Sequence, residues 1–291
     1  MPFQPLMAIL LSSILHPTWN LILKQSRFPV VCLWTGMLGS SALLLPIVLA
    51  AGRPTSIAPA AWLALGASAL FTAGYFRLLA ETYRQEDLSR VYPFTRGLPT
   101  VLLLGAEAIF LGHRPSAFGI LGVALIGFGI YVLHLRTLRR SDLLEPLRAF
   151  RDPVAVLIGL NALAITGYGL MNKLALDHGV PPLMVFAVTN FAAALVLGAG
   201  LATQVPAAYR ATDGREAVRW IAVGLLEVVT YGLVLWAMVR SPVSYVEAVR
   251  QVGVIYGALF GVYVLREPFG RYRITGSALV LVGTVLIVWA G

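Results

Sequence analysis

Residues 96–133 read RGLPTVLLLGAEAIFLGHRPSAFGILGVALIGFGIYVL, and residues 250–287 read RQVGVIYGALFGVYVLREPFGRYRITGSALVLVGTVLI. Laid one on the other without a gap, Arg96 meets Arg250, Leu111 meets Leu265 and Ile120 meets Ile274. Gly122 then meets Gly276, Ala124 meets Ala278, Leu125 meets Leu279 and Gly129 meets Gly283. One pair of apolar helices, carrying an arginine at the same depth, is written twice. A duplicated hydrophobic bundle with matched polar positions implies the architecture of a secondary transporter.

Outside this pair, the chain is just as apolar. Of 291 residues, 58% are hydrophobic and 12% charged, about half the charged share of a soluble domain. Apolar runs near the ~20 residues that cross a bilayer recur along the whole length. They fall at 5–23, 30–51, 58–80, 90–111, 116–135, 153–173, 182–204, 217–240, 242–265 and 273–290. Backbone polar groups in hydrocarbon must bond within their own segment, so spans this long and apolar are helices and not barrel strands. The expected fold is an all-α integral membrane protein of ten transmembrane helices.

The long polar stretch 136–152, RTLRRSDLLEPLRAFRD, divides the ten spans into 1–135 and 153–291. WNLILK, ending at Lys24, resembles YGLMNK, ending at Lys173, so the first span of each half also matches. Five is odd, so the second copy enters the membrane from the opposite side. The expectation is a 5+5 inverted repeat with a pseudo-two-fold axis in the membrane plane.

Charge and cysteine usage remove several classes. The net charge is +9, but the basic residues are scattered over short loops and form no stripe on a soluble face, so nucleic acid is not the partner. Cys32 is the single cysteine, which excludes an intrachain disulfide and a cysteine metal cluster. The first residues lack the basic start and cleavage site of a secretory signal, so the first span is expected to be kept. Arginine outnumbers lysine, whose two copies are Lys24 and Lys173. That bias points to a GC-rich, bacterial genome and hence to the inner membrane. No HExxH, GxSxG or Walker loop is present, so neither an enzyme nor a self-contained ATP-driven pump is indicated, and no cofactor is expected.

Arg53, Arg114, Lys173 and Arg240 lie in loops on one side of the membrane. Arg77, Arg96 and Arg250 lie in spans, and the remaining basic residues crowd the other side. The positive-inside rule then places the crowded side in the cytoplasm and both termini outside.

An ionisable group inside a span costs about 2.5–3.5 kcal/mol on insertion scales, so each is a candidate functional residue. Arg96 and Arg250 are candidates to face a solvated cavity. Against that stands a structural role, paired with Glu107, Glu227 or Glu247. Glu247 and Arg250 stand at i, i+3 and are placed to neutralise each other; Arg77 and Glu81 form a similar i, i+4 pair. Glu227 sits mid-span, and His16, Glu227 and Glu247 are the groups able to couple a proton, His16 because histidine titrates near neutrality. His16, Asn20 and Lys24 share one face of span one, where Pro17 permits a bend; Asn161, Tyr168 and Asn172 share one face of span six. Two such polar faces on matched helices would line a central cavity. Trp19 and Tyr168 lie deep enough to serve as its walls. The glycines of spans five and ten are read as a helix-packing seam, with no ligand role.

HPTWNLILKQS at 16–26, YRQEDLSRVYPFTRGLP at 83–99 and SPVSYVEAVRQVGVIYGALFGVYVLREP at 241–268 resemble the EamA branch of the drug/metabolite transporter superfamily. The resemblance covers essentially the whole chain. It implies a ten-helix inverted repeat, a central cavity and export of small metabolites such as amino acids. Carried over residue by residue, it implies that Trp19, Asn20, Tyr92, Arg96, Tyr168, Tyr245, Glu247 and Arg250 line the cavity. Asn172 and Gln251 join them as candidate substrate contacts. Relatives often carry acids where these two amides stand, which weighs against cation export. The resemblance also implies cytoplasmic termini, opposite to the loop charges, so orientation stays open.

The leading expectation is a transporter of a small anionic or zwitterionic metabolite, with membrane lipid as its surroundings. The alternatives are a flippase for a lipid-linked phosphate or sugar, using the same arginines through a lateral opening, and, remotely, a membrane-embedded enzyme. Substrate identity, coupling ion and oligomeric state are beyond what the residues specify.

Overall fold

A computed structural model describes residues 2–52, 57–85, 88–112, 115–133, 153–253, 255–256 and 271–290. Side chains at 82–97 also lie outside the described residues, and with them those of Tyr92 and Arg96. The linker expected at 136–152 lies outside as well. Among the described residues every regular element is a helix.

The helices are α1 (Phe3–Lys24), α2 (Pro29–Gly52), α3 (Pro59–Gln85), α4 (Leu88–Phe110), α5 (Ala117–Leu133) and α6 (Pro153–Asp177). Then follow α7 (Pro182–Ala199), α8 (Val205–Arg210), α9 (Gly214–Met238), α10 (Val243–Arg250) and α11 (Arg271–Ala290). Five of them are long and apolar enough to cross a membrane: Phe3–Leu23, Pro29–Ala51, Pro59–Leu79, Pro182–Ala199 and Gly214–Met238. Leu98–Phe110, Ala117–Val132 and Thr275–Ile287 are shorter apolar helices. Their outer faces carry bare aliphatic and aromatic side chains: Leu63 and Leu43 are each 75% exposed and Ile109 77%. Apolar exposure on this scale is the surface of a protein that lies in lipid.

Local chemistry sets several helix ends. Gly179, at φ 82°, closes α6. Its N–H reaches the Leu176 carbonyl and the Val180 N–H reaches the Ala175 carbonyl, the paired bonds of a Schellman stop. Pro181 and Pro182 follow, and α7 opens with proline in its first turn, where the missing N–H costs nothing. Asp213 opens α9 by accepting the Glu216 N–H at 2.9 Å. The span expected at 182–204 instead ends at Ala199, and a separate short helix, α8, precedes α9. Lys173, counted among the loop charges, lies inside α6.

The chain forms two compact units, each built from both halves of the sequence. Unit 1 holds Met1–Leu10, Gly74–Thr166 and Ser241–Gly291; unit 2 holds Leu11–Ala73 and Gly167–Arg240. In unit 1, α5 packs along α11, α4 packs against α5 and α10, and α10 also touches α5 and α11. In unit 2, α2 packs against α7 and α9, and α7 against α9.

Glycines bring the backbones together. A Cβ on Gly122 would stand 2.7 Å from the Gly283 carbonyl oxygen, and one on Gly283 would stand 2.6 Å from that of Gly122. A Cβ on Gly129 would stand 2.8 Å from the Gly276 oxygen. α5 and α11 therefore cross antiparallel, with backbone on backbone. The contacts are reciprocal: Gly122 meets the sequence counterpart of Gly129, and Gly129 meets the counterpart of Gly122. In unit 2, Gly36 and Gly224 bring α2 and α9 equally close. In lipid, where apolar surface gains nothing by being covered, such close van der Waals contact drives helix association.

Candidate functional site

Unit 2 is organised around α9, and both ends of that helix are tied. Near its N-terminus, Glu216 is fully buried. Its Oε1 accepts from the Arg27 N–H at 3.0 Å, from the Trp220 indole N–H at 3.0 Å and from the Ser26 hydroxyl. Arg219 completes the cluster with an ion pair to Oε2 at 2.9 Å. The Asp213-x-x-Glu216 spacing reads as a capping box, but here the glutamate reaches across to the turn between α1 and α2 and holds it. The carboxyl of Asp213 itself lies below its ordinary range, chiefly because it accepts the Glu216 backbone N–H and also because Arg27 stands beside it.

At the other end, the buried Lys173 of α6 donates to the Met238 carbonyl at 2.9 Å and to Asp177 at 2.8 Å. A cation on the last carbonyls of a helix complements the negative end of its dipole. Between these ties, α9 meets a polar chain. Ser68 of α3 donates to Asn172 Oδ1 at 2.6 Å, and Asn172 Nδ2 donates to the Tyr231 hydroxyl at 2.9 Å. Tyr231 also stands edge-on to Tyr168, with ring centroids 6.1 Å apart, and tilted against Phe186 at 6.4 Å. Gly167 makes room for this layer: a Cβ there would lie 2.6–2.7 Å from the Phe71 ring.

α1 lies along α9. The Ser12 hydroxyl donates to the Thr230 carbonyl at 3.0 Å. One helical stretch away, Trp19 packs with Val31, Cys32, Ala208, Trp220 and Val223 in one buried cluster. His16 meets Trp19 edge-on at 5.0 Å. Asn20 turns its amide onto its own helix, donating to the His16 carbonyl at 2.8 Å. Along this face, Glu227 Oε2, Thr230 Oγ1 and Trp19 Nε1 are buried with no hydrogen-bond partner among the described residues. Each belongs to a residue at least nine-tenths buried.

In unit 1 the expected residues gather on α10. Pro242, the residue just before it, supplies no side-chain cap. Glu107 of α4 supplies one from outside: Oε1 accepts the Val243 N–H at 2.9 Å, and Oε2 accepts the Ser244 N–H at 3.0 Å and hydroxyl at 2.5 Å. Glu107 is thereby assigned a structural task, anchoring two helices and meeting the positive end of the α10 dipole. Arg250 and Glu247 form the i, i+3 pair at 2.6 Å, both buried. Gln251 donates to Thr100 at 3.2 Å and to the Glu247 carbonyl at 3.1 Å. The Tyr245 hydroxyl lies 3.4 Å from Ser116 Oγ and fills the notch left by Gly119.

The structure thus gathers His16, Trp19, Asn20, Tyr168, Asn172 and Glu227 in unit 2, and Tyr245, Glu247, Arg250 and Gln251 in unit 1. Ser68, Thr230, Tyr231 and Glu216 were not read as site or anchor residues. Thr230 and Tyr231 follow Glu227 by three and four positions, a same-face spacing that the sequence does display.

Known proteins resemble this chain in two ways. Residues 153–289 match the EamA-like transporter family. A solved structure, titled only as the crystal structure of a protein, superposes on 98% of this chain and 96% of its own with TM-score 0.71 at 17% identity. That likeness concerns the fold. No curated protein matches the sequence.

Proposed function

From the match of residues 153–289 to the EamA-like transporter family, we propose that this multi-pass membrane protein is a secondary transporter of a small polar metabolite. The substrate is an amino acid or another anionic or zwitterionic compound, and the direction is export by alternating access. The ten spans form a 5+5 inverted repeat. The reciprocal contacts of Gly122 with Gly283 and of Gly129 with Gly276 support this, because two equivalent helices crossing on a two-fold axis make each contact twice. The duplication extends the family's pattern to the first half, which the family match does not cover.

One observation carries the reading. α9, a helix able to span the membrane, has its two ends tied by Glu216 and Lys173, yet in its middle Glu227 and Thr230 keep buried polar atoms without partners. Native interiors satisfy such atoms unless a ligand or water does so. Trp19, Asn20, Tyr168 and Asn172 shape the pocket in unit 2. Arg96 and Arg250 engage an acidic group of the substrate, with Glu247 as the resident partner that Arg250 exchanges; Tyr92, Tyr245 and Gln251 support them. A coupled proton would ride on His16, Glu227 or Glu247.

The test is flux in proteoliposomes. The purified chain should give saturable flux of radiolabelled amino acids above that of empty vesicles. Arg96→Ala should abolish the flux while keeping the melting temperature. Unchanged flux in that variant refutes the arginine assignment; flux equal to empty vesicles for the native chain refutes transport of this substrate class.

A further inference from the structure

Val223, Glu227 and Thr230 stand at i, i+4, i+7 on α9, and Ser12, His16 and Trp19 stand at the same spacing on α1, so each set forms one helical face. Ser12 bonds to the Thr230 carbonyl, and Trp19 shares one buried cluster with Trp220 and Val223. The start of the α1 face thus meets the end of the α9 face, and the two faces run antiparallel. Three polar atoms on this seam are buried and unpartnered among the described residues: Glu227 Oε2, Thr230 Oγ1 and Trp19 Nε1. Glu227 Oε2 accepts hydrogen bonds and the Thr230 hydroxyl accepts or donates, one turn apart on α9. The third is a donor, on the facing helix.

This pattern selects among ligands. Ca²⁺ or Mg²⁺ takes six or more oxygens, and the seam leaves two. A carboxylate alone would meet Glu227 charge on charge. A bare proton would let Glu227 donate to Thr230 but leave the Trp19 indole as it is. An ammonium group carries three N–H donors, and an acceptor on the same small molecule would reach the indole.

We propose that the α1/α9 seam is the subsite for the ammonium group of a zwitterionic substrate. Glu227 and Thr230 accept two of its N–H bonds, and Trp19 Nε1 donates to an acceptor elsewhere on the same molecule. Tyr231, next to Thr230 in the chain, is edge-on to Tyr168 and held by Asn172. Asn172 is committed to Ser68 and Tyr231, and Glu227 is the acid of this face with an oxygen unpartnered among the described residues. The inference rests on the transport reading, narrows its substrate to compounds with an amine, and assigns Glu227 to the substrate, not to a coupled proton.

The test uses the full chain in detergent, with ligand-induced thermal shifts for three matched sets. These are alanine, leucine and phenylalanine; the amines ethylamine, 3-methylbutylamine and phenethylamine; and the acids propionate, 4-methylpentanoate and 3-phenylpropionate. At least one amino acid and its amine should stabilise the protein, and its acid should not. Glu227→Gln should weaken both by about tenfold or more, the loss expected for a charge-assisted hydrogen bond. Its ligand-free melting temperature should not fall. Trp19→Phe should weaken the amino acid and spare the amine, which a merely structural tryptophan would not do. Equal binding by an acid counterpart, unchanged affinity in Glu227→Gln, or no shift with any of the nine compounds overturns the subsite. The proteoliposome flux is scored separately, so transport can stand where the subsite falls.

Discussion

Replacing Gly122 by alanine puts one methyl group where α5 and α11 touch backbone to backbone. The added Cβ would stand 2.7 Å from the Gly283 oxygen and 2.7 Å from Ile287 Cγ1. A carbon–oxygen contact relaxes near ~3.3 Å, so the helices must part by about 0.6 Å at the crossing. A carbonyl oxygen cannot rotate aside as a flexible side chain can. Overpacking of this kind costs about 1–3 kcal/mol. At about 2–4 °C per kcal/mol for a chain of this size, the melting temperature should fall by several degrees. The assay is thermal unfolding of the purified protein in detergent. Gly105→Ala is the control: it lies in the same unit, has nothing within 4 Å of the new methyl, and gains up to ~1 kcal/mol of helix propensity. Gly283→Ala should match Gly122→Ala. The double variant should lose less than the sum, since one separation relieves both clashes. If Gly122→Ala melts with Gly105→Ala, the backbone contact and the antiparallel seam built on it are wrong.

Two further outcomes test the anchors. Glu107→Ala leaves the Val243 and Ser244 N–H groups buried without their cap, at about 1–3 kcal/mol each, so it should melt well below the native chain and, by hydrogen exchange, open α10 first. Asp213 has a lowered carboxyl pKa, so its contribution to stability is complete above its ordinary value of 3.8 and drains away as pH falls through the lower folded value; the Asp213→Asn variant should lose that acid-limb dependence when melting temperature is followed against pH.

Much of the site was written in plain view, but in a form that residue patterns alone could not sort. Intramembrane charges look alike in a sequence. Glu107, Glu227 and Glu247 are all acids in apolar spans, and only contacts separate them. Glu107 is spent on the N–H groups of α10, Glu247 on Arg250, and Glu227 has an oxygen left over. Glu216 drew no notice because it sits at a helix start, where an acid is ordinary; its reach to Ser26 and Arg27 depends on a turn 190 positions away.

Hydropathy and length determine by themselves that this chain is a set of lipid-embedded helices, because spanning hydrocarbon leaves the backbone no other way to satisfy its polar groups. Which helices meet was decided by the tertiary structure. The compact units each draw helices from both sides of residues 136–152, since packing follows the places where glycines let backbones touch and where buried polar groups find partners. A hydrogen bond is a relation between two atoms, and whether an acid is an anchor, an ion-pair partner or an open acceptor is settled by what stands opposite it.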